Sequence, residues 1–223
     1  MIEVSVWMEQ FQNALQREFG SRVLFIGLQG SYARGEAGVD SDLDLVVILD
    51  RLAPADIVRY RNVLDTLPHR EKACGFLSGK AELSGWDPGE RFQLCFDTLP
   101  FFGSLWNLAG PVGTREARAA VRTGAGTLYH ACVHNLLYDR SEDLLRNLYK
   151  SACFVVQAVY YLETGHYVKQ HRTLAQAAGP RERAILGTAA LLRHEGEVDF
   201  EPMSRQLLLW SQGLLASQNQ QEV

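Results

Sequence analysis

Cysteine is scarce in this chain of 223 residues. Cys74, Cys95, Cys132 and Cys153 are widely separated, sit in apolar contexts, and no pair has metal-site spacing. That excludes a disulfide-built scaffold and a cysteine zinc module, and it fits reduced core thiols in a cytoplasmic protein. Long apolar runs are absent as well. Runs such as "LVVIL" at 45–49 fall far short of the ~20 residues that a membrane-spanning helix requires. The N-terminal "MIEVSVWMEQFQ" carries acids and no basic stretch, so no signal peptide is expected. Basic residues form no stripe: 22 Lys and Arg stand against 26 Asp and Glu, a net charge of −4. Gripping nucleic acid draws on clustered Lys and Arg, so nucleic acid is not expected as a partner.

What is present is an apolar fraction of 47%, enough for a sizeable core in one or two domains. Residues 3–19 place Val6, Phe11, Leu15 and Phe19 on one helical stripe ended by Gly20. "RVLFIGLQG" (22–30) and "DLDLVVILD" (42–50) read as strands, and "SYARGEA" between them can form one short helical turn. "PADIVRYRNVLDTL" (54–67) opens on proline and carries Ile57, Tyr60, Val63 and Leu64 at helical spacing. "ACGFLSG" (73–79) and "RFQLCFDTL" (91–99) read as two further strands. A mixed α/β domain over 1–110 results. From Thr114 onward strand signals vanish. Helices are expected over 114–138 (weakened by Gly124 and Gly126), over 141–165 behind a Ser141 cap, over 180–196, and over 201–216, with a frayed tail. The second domain, 111–223, therefore reads as an antiparallel helical bundle. The fold class is α+β.

Chemistry concentrates in "LQGSYARGEAGVDSDLDLVVILD", residues 28–50. Gly30 and Ser31 follow a strand, where exposed amides favour phosphate and a residue without a side chain lets backbone approach a ligand. Asp42 and Asp44 are two apart on a strand and so share a face. Two adjacent carboxylates beside a phosphate-binding turn describe a Mg2+ site, because magnesium takes few carboxylates and shares its other positions with water and substrate phosphates. His130 and His134 also have ligand spacing on a helix, but no Glu lies between them in a metalloprotease pattern and no third ligand is evident, so a structural role is expected.

The run "GSYARGEAGVDSDLDLVV" resembles the signature of the DNA polymerase beta-like nucleotidyltransferase superfamily: Gly-Ser, about ten residues, then Asp-x-Asp in a strand. Among its branches the chain is most similar to small bacterial and kanamycin nucleotidyltransferase-like proteins, in which a catalytic α/β domain precedes a helical one. The resemblance implies transfer of a nucleoside monophosphate from an NTP to an acceptor hydroxyl, on a small molecule such as an aminoglycoside or on a protein. It implies that Gly30 and Ser31 hold the triphosphate and that Asp42 and Asp44 bind metal, with two Mg2+ ions. Arg34 would neutralise phosphate charge, and Lys150 would do the same from the helical half, where Glu142 is a possible base and Arg146 lies between them. The family uses a third acid on a following strand beside the pair. Asp97, expected on a strand face with Gln93 and Cys95, is the choice, Glu82 the fallback, and Gln93 in that slot would weaken metal binding. A homodimer is implied, with "FFGSLWNL" (101–108) as core or contact surface. The alternative is an antitoxin-like or interaction module that keeps the fold with little catalysis. The helical half distantly resembles HEPN-type domains, yet their Arg-to-His ribonuclease spacing is missing, Arg122 to His130 being too long.

Overall fold

The computed structural model describes residues 2–193 and 196–218. His194 and Glu195 of the helix expected over 180–196, and residues 219–223 of the expected tail, lie outside the described residues. Two compact units divide the chain, Met1–Val112 and Gly113–Val223.

The first unit is built on a four-stranded mixed sheet of order β3-β2-β1-β4. Its strands are β1 (Val23–Gln29), β2 (Leu43–Leu49), β3 (Ala73–Gly79) and β4 (Leu99–Phe102). β1 runs antiparallel to β2 and β4, while β2 and β3 are parallel. Helices cover both faces, which is why "LVVIL" in β2 is apolar throughout and does not alternate. On one face, Leu43, Leu45, Val47 and Leu49 pack with Trp7, Met8, Phe11 and Leu15 of α1 (Val4–Phe19) and with Val63 and Leu64 of α3 (Pro54–Asp65). On the other, Phe25, Val46 and Ile48 meet Leu83 of α4 (Lys80–Ser84), Leu94 and Cys95 of α5 (Pro88–Asp97), and Leu105 of α6 (Leu105–Ala109). A short helix, α2 (Gly30–Arg34), joins β1 to the loop before β2.

Three sequence expectations change here. Val6 is half exposed, and Trp7 and Met8 take its place in the buried stripe of α1. Trp7 wins because it stacks on Phe11 with ring centroids 5.3 Å apart and donates its indole N–H to Pro68 O at 2.7 Å. Ile57 is likewise exposed, leaving Val63 and Leu64 to bury α3. Most consequentially, 91–97 is helix, not strand. Asp87 accepts hydrogen bonds from the amides of Gly89 (2.8 Å) and Glu90 (3.1 Å), and Pro88 occupies the first helical position. Those are strong start signals for a helix. The strand is the short β4 that follows.

Arg22 fastens the start of α3 to the rest of the unit. Its guanidinium grips Asp56 with two 2.8 Å bonds and also reaches Asp50 at 3.0 Å. Asp56 in turn accepts from the Ala53 amide at 3.0 Å, capping α3. The Arg22 bonds first, then the Ala53 amide, hold the Asp56 carboxyl well below the usual carboxylate range, against the effect of burial. A depressed folded-state pKa contributes stability that is complete above the unfolded value, about 4, and is lost as pH falls toward the folded one. Asp56→Asn is therefore expected to melt below wild type at pH 7, with the difference shrinking between about pH 4 and pH 2. Thermal melts across that range check it; a gap independent of pH would mean that packing, not charge, is what Asp56 supplies.

The second unit is all helical: α7 (Thr114–His134), α8 (Glu142–Thr164), α9 (His171–Ala177), α10 (Pro180–Arg193) and α11 (Phe200–Gln218). Its core gathers Leu128, Leu145, Tyr149, Val156, Ile185 and Leu207. Gly124, which weakens α7 as a helix, permits close packing: a Cβ there would stand 2.5 Å from Val155 Cγ2 of α8. Asn135 bridges both backbone groups of Ser141 (2.9 and 2.8 Å), and Ser141 Oγ caps the Leu144 amide at 3.1 Å. α9 has no counterpart in the sequence expectations. Among the described residues, no helix is long and apolar enough to cross a membrane.

Candidate nucleotide and metal site

β1 delivers the chain to Gln29, and Gly30 turns it at φ +68° into the five-residue α2. α2 ends at Gly35, whose amide bonds to Tyr32 O at 3.2 Å. The Glu36 amide then reaches back to Ser31 O at 2.8 Å. Further along this loop, Ser41 Oγ accepts from the Gly38 amide at 2.9 Å, and Lys72 Nζ donates to Val39 O. The loop that ends at Asp42 is thus tied at its start and its middle.

Antiparallel pairing of β1 with β2 sets Asp44 opposite Gln29, one residue before the turn. The Asp44 carboxylate lies directly against Gly30: Oδ2 is 1.7 Å from where a Cβ on Gly30 would stand. Asp42 immediately precedes β2 and is exposed, while Asp44 is half-buried. Parallel pairing of β2 with β3 sets Cys74 on the other side of Asp44, and the Cys74 thiol donates to Asp44 Oδ1 at 3.4 Å. A row of Gln29, Asp44 and Cys74 therefore crosses three strands at the end of the sheet where the turn lies.

The remaining candidates fall into different places. Asp97 ends α5, two residues before Leu99, which pairs with Leu28. It belongs to the same end of the sheet, but it is buried and bonded at 2.9 Å to Arg34 Nη1. Arg34 also donates to Glu36 Oε2 at 3.3 Å. In a helix Gln93 and Asp97 are four apart and share a face, whereas Cys95 does not, so the expected strand grouping dissolves. Glu82 is on α4 after Gly79, and Gly79 pairs with Leu49 at the opposite end of β2 from Asp44. Five residues of strand separate those ends, about 17 Å, so Glu82 does not stand beside the pair. Glu90 accepts from the Trp86 indole. In the second unit, Lys150 and Glu142 are exposed on α8, and Arg146 is committed to Leu192 O (2.8 Å) and Gly196 O (2.9 Å). His134 bonds Asp139 at 3.0 Å, and its ring lies 6.4 Å from that of His130. Among the described residues, no three His, Cys, Asp or Glu side chains form a metal-binding group.

Residues 8–87 match the nucleotidyltransferase domain family. The resemblance seen in the Gly-Ser and Asp-x-Asp residues is thereby borne out, with Gly30, Ser31, Asp42, Asp44 and Cys74 all inside the matched segment. The fold agrees. A solved structure of spectinomycin adenyltransferase AAD(9) from Enterococcus faecialis, with ATP and spectinomycin, aligns with 95% of this chain and 98% of its own, at a TM-score of 0.59 and 12% identity. At that identity the likeness is one of fold: a nucleotidyltransferase domain followed by helices. No curated protein matches the chain.

Cys74 and Glu36 are the residues that sequence reading missed. Glu36 was signalled weakly by its place two residues from Arg34. Cys74 had no local signal, and the expectation that all four cysteines are core thiols fails there: Cys95, Cys132 and Cys153 are buried and Cys74 is exposed. Burial pushes the Cys95 thiol up to about 11. N-ethylmaleimide is accordingly expected to label Cys74 first, at one equivalent, and Mg2+-nucleotide is expected to slow that labelling several-fold. Peptide mass spectrometry reads both; equal labelling with and without nucleotide would place the ligand elsewhere.

Proposed function

We propose that the chain is a metal-dependent nucleotidyltransferase that moves a nucleoside monophosphate from an NTP to the hydroxyl of a small cationic acceptor of the aminoglycoside class, releasing pyrophosphate. The observation that carries this reading is the seating of the Asp44 carboxylate on Gly30, which joins the acidic pair to the phosphate turn in one unit of geometry. Asp42 and Asp44 fit one Mg2+ whose other positions are filled by phosphate and water. Bound there, the cation would lower the pKa of the acceptor hydroxyl and offset charge on the departing pyrophosphate. The chain's own part is placement: Gly30 and Ser31 present amides to the triphosphate, Asp44 is fixed by Cys74 and Gly30, and Lys72 steadies the loop before Asp42. The acceptor class rests on the net charge of −4, which suits a cation, and on the fold neighbour, whose bound molecules are ATP and spectinomycin. We further take the protein as cytoplasmic, where NTPs are abundant, and as a homodimer through 101–108, where Trp106 is half exposed.

One observation favours the second reading, an interaction module with little catalysis. The place beside Asp44 on the following strand holds a thiol, not the third carboxylate that the family resemblance leads one to expect, and a second ion is correspondingly less well provided for. Incubation with α-labelled NTPs, Mg2+ or Mn2+, and a panel of aminoglycosides separates the two. Labelled acceptor with stoichiometric pyrophosphate supports the transferase. Tight metal–nucleotide binding with no transfer to any acceptor, small molecule or protein, supports the module.

A further inference from the structure

Arg34, Asp97 and Glu36 make a buried charged cluster at this end of the sheet. Side-chain exposure is 6% for Arg34, 2% for Asp97 and 15% for Glu36. Charges so far out of water are retained only with partners in good geometry, and losing one partner strands the other. Arg34 and Glu36 are two residues apart in the chain, and Asp97 joins them from 63 positions away. Arg34 is the last residue of α2, four beyond Gly30. Glu36 opens the loop that ends at Asp42, and its amide is already bonded to Ser31 O at 2.8 Å. Asp97 stands at the corner between α5 and β4, and β4 pairs with β1 just below the turn.

We propose that Asp97 and Glu36 act on Arg34 as a two-carboxylate clamp that positions the Gly30–Ser31 turn and the loop to Asp42, so that Asp97 is a positioning residue and not a metal ligand. The proposal deepens the nucleotidyltransferase reading and rests on it for what is being positioned. Three arguments support it. A guanidinium 2.9 Å from Asp97 Oδ2 already supplies the positive charge that the buried carboxylate requires, and a divalent cation brought to the same carboxylate would face that cation. Arg34, facing two carboxylates, has its charge more than balanced and is not available to neutralise phosphate. Finally, the planar fork of arginine holds its donors in fixed directions, with Nη1 on Asp97 and Nε on Glu36, so it sets the orientation of α5 and the loop more rigidly than the freely rotating ammonium of lysine would.

The test compares Asp97→Asn, Arg34→Gln and the double variant Arg34→Gln/Asp97→Asn, which replaces the ion pair by two neutral groups of similar size. Three readouts are taken: melting temperature, amide hydrogen exchange of residues 30–42, and Mn2+ stoichiometry by electron paramagnetic resonance with a non-hydrolysable ATP analogue. The clamp predicts that each single variant melts lower, exchanges about tenfold faster over 30–42 and keeps the wild-type number of Mn2+ ions. It also predicts that the double variant recovers a good part of both stability and protection. The proposal is overturned if Asp97→Asn loses a Mn2+ ion at unchanged exchange, or if the double variant is no better than the singles. Should Asp97→Asn fail to fold, the double variant still decides, because a metal ligand lost there is not restored by removing Arg34. If the wild-type protein binds no Mn2+-nucleotide, the nucleotidyltransferase reading fails by itself, and exchange over 30–42 continues to judge the clamp.

Discussion

Asp44→Asn is expected to weaken binding of a Mg2+-nucleotide by about a hundredfold or more, equivalent to about 2.8 kcal/mol, while the protein melts at or slightly above the wild-type temperature. The two effects have different origins. Asparagine has the shape of aspartate, keeps an oxygen for the Cys74 thiol, and fits the same space against Gly30. Packing is therefore conserved. What changes is charge. Between single unit charges 4 Å apart the attraction is about 4 kcal/mol at an effective dielectric near 20, so losing one carboxylate from a site with two is easily large enough for the expected drop. Without a cation, Asp42 and Asp44 only repel each other, and removing one charge relieves that. Calorimetric titration with a non-hydrolysable NTP, with and without Mg2+, measures the loss, and melting curves measure the rest. Metal-dependent binding that survives in the Asp42→Asn/Asp44→Asn double variant would refute the assignment. A variant that loses binding only because it melts tens of degrees lower would show a structural and not an electrostatic role.

The pair was legible in the sequence because its signals are local. A Gly-Ser turn after an apolar run, and two aspartates at the mouth of the next run, need no knowledge of pairing. β1 and β2 were legible for a related reason: buried on both faces, they read as short apolar runs closed by glycine or a charge, and the partly exposed edge strand β3 still spans Ala73–Gly79 as the run "ACGFLSG" indicates. The segment 91–97 misled because "RFQLCF" is as aromatic and apolar as a strand, and the deciding residues lie before it, in Asp87 and Pro88. α9 escaped notice because "HRTLAQA" offers a single fully buried apolar anchor, Leu174, and one residue has no period. The site's other partners were invisible for a deeper reason. Cys74 meets Asp44 through a strand register set by the whole sheet, and Arg34 finds Asp97 across 63 positions. Asp97 illustrates the limit well. That a carboxylate in an apolar segment needs a partner follows from the sequence; whether the partner is a metal or a guanidinium does not.

Gly30→Ala puts the same geometry to a sharper test, because it leaves every charge in place. At φ +68° an alanine is strained by about 1–2 kcal/mol, and its Cβ would fall 1.7 Å from Asp44 Oδ2 and 2.7 Å from Cγ. Something must move. The obstacle is the end of a side chain at the rim of the sheet, not backbone, so the cheaper response is for the Asp44 carboxylate to rotate away. Stability then falls by little more than the backbone strain, a drop of a few degrees in melting temperature for a chain of this size. The site suffers far more. A rotated Asp44 no longer stands beside the turn, its bond with Cys74 is lost, and the carboxylate pair and the phosphate amides cease to face one ligand. Metal–nucleotide affinity is expected to fall by about tenfold to a hundredfold, about 1.4 to 2.8 kcal/mol, despite an unchanged net charge. Gly35→Ala serves as the control. Gly35 has φ +70° and nothing within 4 Å of an added Cβ, so it carries the same strain without the collision and is expected to cost similar stability with little loss of affinity. If the two alanine variants lost affinity alike, strain in the turn would be the cause, and the contact between Gly30 and Asp44 would have no part in holding the site together.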